Sequence, residues 1–123
     1  MDEILTVSQL NDYIKGVLQY DPNLQQVLVQ GEVSNYYCHY ASGHVYFTLK
    51  DEDTQIKAVM FNRVKEKVDF DLEDGMKVIL EGQITVYPPR GEYQIQVSEV
   101  QPKGTGALHI AFEQLKNKLK EEG

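Results

Sequence analysis

One cysteine, Cys38, is all the thiol that this 123-residue chain carries, so an intrachain disulfide is excluded and a reducing cytoplasm suits it. No apolar run approaches the ~18 to 20 residues of a membrane-spanning helix, so no membrane partner is expected. The first ten residues, MDEILTVSQL, lack the basic head of a secretory signal. Cations are scarce: 12 lysines and arginines face 19 acids, a formal charge of −7. That excludes a duplex binder coated in lysine. Catalytic motifs are missing as well, with no nucleophile elbow, phosphate loop or zinc-protease pattern. Cys38, His39 and His44 make three zinc-ligand candidates where a structural site needs four. Asp51-Glu52-Asp53 lacks the glycine of a calcium loop and reads as an acidic hairpin tip. His109 has no evident catalytic partner. No metal, cofactor or catalytic residue is expected in this stretch.

What is present is alternation. At 41% apolar and 25% charged residues, the chain is globular and of one-domain size. "TVSQLNDYIKGVLQY" sets Thr6 three residues before Gln9, the spacing of a capping box, and then repeats Leu10, Tyr13, Ile14, Val17 and Leu18 on one helical stripe. Pro22 ends that helix. The period then drops to two. Val27, Val29, Gly31 and Val33 share one face of a first strand, and Leu28, Gln30, Glu32, Ser34 and Tyr36 share the other. A glycine within so long a strand predicts a bend. In "HVYFTLK" the inner set is Val45, Phe47 and Leu49; in "QIKAVMF" it is Ile56, Ala58 and Met60. "NRVKEKVDFDLEDG" offers one helical turn at most, before two further strands, "MKVILEGQITVY" and "EYQIQVSEV", joined through "PPRG". A last helix repeats Leu108, Phe112, Leu115 and Leu119; its seam either folds back on the strands or leads into a following domain.

Helix, three strands, a short connection, two strands and a helix, with a long bent first strand, predict a mainly β architecture. The expected fold is a five-stranded OB-fold barrel, which binds oligonucleotides or oligosaccharides on its second and third strands. The expected division is a helical segment over residues 1–22, the barrel over 23–103 and a linker helix over 104–123.

The expected binding face follows from the pleat. If Val45, Phe47 and Leu49 fill the barrel, Tyr46 points outward, and so do Lys57 and Phe61 on the neighbouring strand. Flat rings beside a cation suit unpaired bases on an anionic backbone, since base stacking tolerates any sequence and cations add phosphate attraction. Between Thr54 and Val68 the charges are Lys57, Arg63, Lys65 and Lys67 against Glu66 alone, a local basic patch on an acidic chain. The candidate contacts are Tyr46, Lys57, Phe61 and Arg63, then Ser34, Tyr36 and Arg90. Tyr93 shares parity with the core or rim, and Tyr87 faces outward without an assigned role. The ordinary alternative is that such rings only pair across strands or cover a loop.

Several stretches together resemble the N-terminal region of bacterial exodeoxyribonuclease VII large subunits: "VLVQGEVSNY", "SGHVYFTLKD", "VYPPRGEYQ" and "GALHIAFEQLKNKL", in that order. The resemblance implies a single-stranded-DNA-binding barrel ahead of a separate nuclease domain. It also implies assembly with small helical subunits into a cytoplasmic enzyme that degrades single-stranded DNA from both ends to oligonucleotides. The catalytic residues would lie beyond residue 123. Taken alone, "FTLKDEDTQIKAVMF" does not separate this family from the anticodon-binding, RNA-binding barrel of some aminoacyl-tRNA synthetases. A protein-interaction or assembly module, including a homo-oligomer, also stays open, favoured by the acidic charge and the outward Leu28 and Ile79.

Overall fold

The computed structural model describes residues 3–104 and 112–116. Helix α1 spans Val7–Tyr20 and a short α2 Pro22–Gln25. Strands β1 (Val27–Cys38), β2 (Val45–Lys50) and β3 (Gln55–Met60) precede the one-turn helix α3 (Asn62–Lys65). Strand β4 (Lys77–Tyr87), a 3₁₀ turn (Pro88–Arg90) and β5 (Glu92–Pro102) complete a closed barrel of order β1-β2-β3-β5-β4. This is the mainly β barrel that the element order predicts. Closure removes the free sheet edges that would otherwise recruit other strands.

Strand β1 serves two partners. Val27 to Glu32 pair with β4, and Glu32 to Cys38 pair with β2. The handover requires Gly31, where an added Cβ would sit 2.8 Å from both Leu49 Cγ and the Lys50 carbonyl oxygen. The bend expected at this glycine is therefore a close backbone approach. Inside, Val33, Val45, Phe47, Leu49, Ala58, Met60, Val78, Leu80, Ile95 and Val97 form one buried cluster. Leu72 and Met76, from the connection between α3 and β4, join it. Each of these side chains larger than Ala58 contributes about 1.5–3 kcal/mol by leaving water. No buried side-chain nitrogen or oxygen among the described residues lacks a partner.

The first helix is capped as its spacing predicts. The Gln9 N–H donates to Thr6 Oγ1 at 3.1 Å, and the Thr6 N–H donates to Gln9 Oε1 at 2.9 Å. It rests against β4 and the 3₁₀ turn, yet none of its residues is buried. Tyr13 and Val17, on the predicted apolar stripe, are 54% and 53% exposed. Residues 112–116 are helical, and Gln114 ties them to the connection ahead of β4. Its Oε1 accepts from the Asp71 N–H at 2.6 Å, and its Nε2 donates to the Asp71 carbonyl at 3.0 Å. Phe112 and Leu115 stay exposed, while Leu108, His109 and Leu119 lie outside the described residues. No described helix is long and apolar enough to cross a membrane.

Candidate functional site

Cross-strand pairing sorts the outer face of the barrel into rows that run across the strands. One row passes from Tyr37 to Tyr46, then to Val59, Gln96 and Gln83. The next row passes from Ser34 to Thr48, then to Lys57, Gln94 and Thr85. Neighbouring strands stand about 4.8 Å apart, so a ligand lying along a row meets a new side chain at about that interval. The Tyr37–Tyr46 end of the first row, with Thr48 and Lys57 of the second, opens into a groove of ≈ 540 Å³ over β2 and β3. Val59 and Thr48 form its buried floor, and Tyr87, Arg90 and Glu92 wall it from the turn between β4 and β5.

Two rings build the shelf. Tyr37 and Tyr46 lie with centroids 6.5 Å apart and planes tilted by 31°, inside the range where aromatic pairs support one another. They remain 57% and 42% exposed. Phe61 is held differently. It packs edge-on to His44 at 5.0 Å, and His44 Nδ1 accepts the Asn62 backbone N–H at 3.0 Å. That acceptor role places the ring proton of neutral His44 on Nε2 and fixes the ring against which Phe61 leans.

The shelf corrects the expectation for Tyr36. Simple alternation along β1 puts Tyr36 outward and Tyr37 inward; the structure does the reverse. A register shift separates Ser34 from Tyr37, and Asn35 between them has φ +53°. That left-handed residue is a β-bulge, which moves every later side chain to the opposite face. Tyr36 turns toward the core, near Met60, Lys65 and Phe70, and burial pushes its phenol above the ordinary tyrosine range. Its backbone N–H is satisfied by the Asp74 carboxylate at 2.9 Å.

The remaining candidates separate. Tyr46, Lys57, Phe61 and Arg90 line the groove together. Arg63 lines an adjoining cleft with Phe61, and Ser34 is half-buried in the second row, outside the groove lining. The basic patch also divides. Lys57 Nζ lies 3.4 Å from Glu92 Oε2 inside the groove. Lys65 instead donates to Cys38 Sγ at 3.3 Å near Tyr36, and that hydrogen bond holds its ammonium above the usual lysine range. The groove lining thus holds Lys57 and Arg90 against Glu92, more aromatic than cationic. Tyr93 is exposed and outside the lining; Tyr87, without an assigned role from sequence, is in it. Among the described residues no three His, Cys, Asp or Glu side chains are grouped to hold a metal.

Residues 5–101 match the family model described as an OB-fold nucleic acid binding domain. The chain is 52% identical over 121 residues to the exodeoxyribonuclease 7 large subunit of Bacillus cytotoxicus, and 50% identical to that of Bacillus cereus. Each alignment covers 98% of this chain but only 27% and 26% of those proteins, their N-terminal part. The chain therefore spans about a quarter of the length of the relatives it matches. In solved structures, a chain of a replication protein A heterotrimer bound to ssDNA superposes with TM-score 0.54 at 16% identity, over 80% of this chain and 75% of that one. Asparaginyl-tRNA synthetase from Pyrococcus horikoshii superposes with TM-score 0.51 at 20% identity, over 67% of this chain and 20% of that one. These two likenesses concern the fold alone. With its barrel order, its groove and a family match over most of its length, the chain belongs to the OB-fold nucleic acid binding domains.

Proposed function

We propose that this barrel is the single-stranded-DNA-binding domain of an exodeoxyribonuclease VII large subunit, holding unpaired DNA for a nuclease domain elsewhere in the longer protein. The observation that carries the reading is the Tyr37–Tyr46 shelf, which faces solvent in an open groove that Lys57 and Phe61 also line. Unpaired bases stack on such rings whatever their sequence, and Lys57 and Arg90 meet the phosphates. In this reading residues 1–22 form the helical segment ahead of the barrel of residues 23–103, residues 104–123 are the linker toward the nuclease domain, and the domain adds no cofactor. The whole enzyme, with its small subunits, would degrade single-stranded DNA in the bacterial cytoplasm. The kinship to the large subunits supports DNA over RNA as substrate. Fluorescence anisotropy with labelled random-sequence oligonucleotides tests the reading. Binding should weaken with salt and with Tyr46→Ala, and stay unchanged in Tyr93→Phe. Equal binding by Tyr46→Ala and wild type would overturn the assigned face. Tighter binding of RNA than of DNA of the same sequence would point to the anticodon-type alternative.

A second reading, as an assembly module, is favoured by the uncovered stripe of α1. Light scattering separates the two. A concentration-dependent oligomer indifferent to oligonucleotides would support assembly.

A further inference from the structure

Beyond Phe61 the outer surface does not flatten. A second cleft, ≈ 440 Å³, opens between α2, α3, β4 and β5, and Phe61 lines both it and the main groove. The first row leads directly there, since Tyr46 is followed by Val59, then Gln96, then Gln83. Two strand spacings, roughly 10 Å, separate Tyr46 from Gln96. The groove and the cleft are thus successive stations of one transverse track, with Phe61 as the ridge between them.

The second station is built of different chemistry. Gln83 Nε2 donates to Gln96 Oε1 at 3.2 Å. That leaves Gln83 Oε1 as an acceptor and Gln96 Nε2 as a donor, neither engaged by another described residue. An amide carries both functions on one plane, which is what the edge of a nucleobase presents in return. Ser98 adds a hydroxyl at the cleft wall, its Oγ donating to the Glu81 carbonyl at 3.0 Å while its lone pairs stay open. The carboxylate in the cleft, Glu81, is covered on one oxygen by Gln26 Nε2 at 2.6 Å. Arg63 stands at the rim and makes no ion pair among the described residues. Its guanidinium suits one phosphate in a bidentate contact.

We infer that a bound single strand continues from the Tyr37–Tyr46 shelf over Phe61 into this cleft. There the Gln83–Gln96 pair meets base edges, and Arg63 holds the phosphate between the two stations. The inference rests on the proposed function of the groove and adds a second subsite to it. The two stations divide the labour: stacking in the first is indifferent to sequence, and amide contacts in the second confer a modest base preference.

Length-resolved binding tests this. Oligothymidylates of about 4, 8 and 12 nucleotides, within the span that single barrels of this kind occupy, are titrated against wild type, Arg63→Ala and Gln96→Ala. Wild type should gain affinity between 4 and 8 nucleotides. Both variants should bind the shortest probe as wild type does and lose about tenfold on the longer ones. Arg63→Ala should also lower the salt slope by roughly 0.7 on the long probes only, the loss of one phosphate contact. Arg63→Glu provides a second variant, with a larger loss of the same pattern. A length gain unchanged in all three variants overturns the second subsite while leaving the groove intact, provided Tyr46→Ala still weakens the shortest probe. Absence of binding to any probe by wild type overturns the groove reading and the subsite with it.

Discussion

The groove face and the outer face of α1 both hold apolar side chains in water, and they do so for different reasons. In the groove the exposed groups are flat rings. The bulge at Asn35 orients Tyr37, cross-strand pairing orients Tyr46, and His44 orients Phe61. The surface is concave, and cations stand at its wall. On α1 the aliphatics Val7, Leu10, Ile14 and Val17 stand exposed beside Tyr13 and Tyr20 on the convex surface of a helix, with no ring pair among them, and no residue of that helix is buried. A ring held in place can stack on a base at small entropic cost; a row of aliphatics gains only from burial against another apolar surface. Exposed apolar area by itself therefore does not identify a ligand. Shape and the rigidity of the exposed groups do.

The largest effect that would break this comparison lies in the shelf. Tyr37→Ala and Tyr46→Ala should each cost about 1–3 kcal/mol of single-strand binding, roughly fivefold to 150-fold, by removing one stacking platform. Because both rings are about half exposed, the melting temperature should fall by only a few degrees. Anisotropy titrations beside thermal melts check both halves. If either substitution instead unfolds the barrel with no separate loss of binding, the rings are structural cover and the contrast with α1 disappears.

Tyr37 also marks how far the residues could be read in advance. The barrel was legible because alternation is geometric: Val45, Phe47 and Leu49 had to share a face, and all are buried. Tyr46 and Lys57 followed from the same parity. Parity counted through "SNYYC" fails because one left-handed residue reverses it, and two consecutive tyrosines leave composition no means of choosing. Asn35 was the available signal, since asparagine tolerates positive φ better than most residues. Glu92 escaped notice for another reason. The charge pattern looked basic along β3 and α3, but Glu92 reaches Lys57 across the sheet from β5, 35 positions later in the chain. Likewise Gln83 and Gln96 are unremarkable in sequence and become neighbours only through the pairing of β4 with β5.

Glu92 supplies the next test in size. Its carboxylate stands 3.4 Å from Lys57 Nζ, and both side chains are about half exposed, at 45% and 50%. A solvent-exposed pair of this kind contributes only about 0.2–1 kcal/mol. Glu92→Gln should therefore barely alter stability. It should tighten oligonucleotide binding a few-fold at low salt, since it frees Lys57 and removes an anion from the path of the phosphates. The gain should fade as salt rises, because screening weakens the repulsion it relieves. A variant that binds more weakly than wild type would mean that Glu92 accepts from the ligand instead of repelling it. The groove would then discriminate by hydrogen bonding as well as by stacking.

On α1 the expected change in the isolated chain is likewise small. Val17→Ser and Ile14→Ser alter side chains that are 53% and 41% exposed, so unfolding free energy should shift by only about 1 kcal/mol. By contrast, Leu80→Ala within the barrel should cost about 2–5 kcal/mol. Urea denaturation measures both. A large loss at Ile14 would show that the stripe is buried in solution by another copy of the chain, and the loss should then depend on protein concentration.

The two regions are also capped by different chemistry, and acid should tell them apart. At the start of α1, Thr6 and Gln9 exchange hydrogen bonds between groups that do not titrate. At the tip of the β2–β3 hairpin, one Asp51 carboxylate oxygen accepts the backbone N–H groups of Asp53 at 2.8 Å and Thr54 at 2.9 Å. Those two N–H groups hold the Asp51 carboxyl below the ordinary aspartate range. A carboxyl depressed in the folded state adds stability that is fully present above its unfolded value, about 3.9. That contribution is lost as pH falls through the lower folded value. Asp51→Asn keeps an acceptor oxygen but removes the titration, so its hairpin amides should lack this acid-dependent loss of protection. Hydrogen exchange at the Asp53 and Thr54 amides, followed from pH 6 down to pH 2.5, should show loss of protection in wild type below pH 4 and a flat profile in Asp51→Asn. The α1 amides should keep the same protection in both. If the hairpin and the helix loosen together, acid acts on the barrel as a whole, and the groove-bearing hairpin has no pH response of its own.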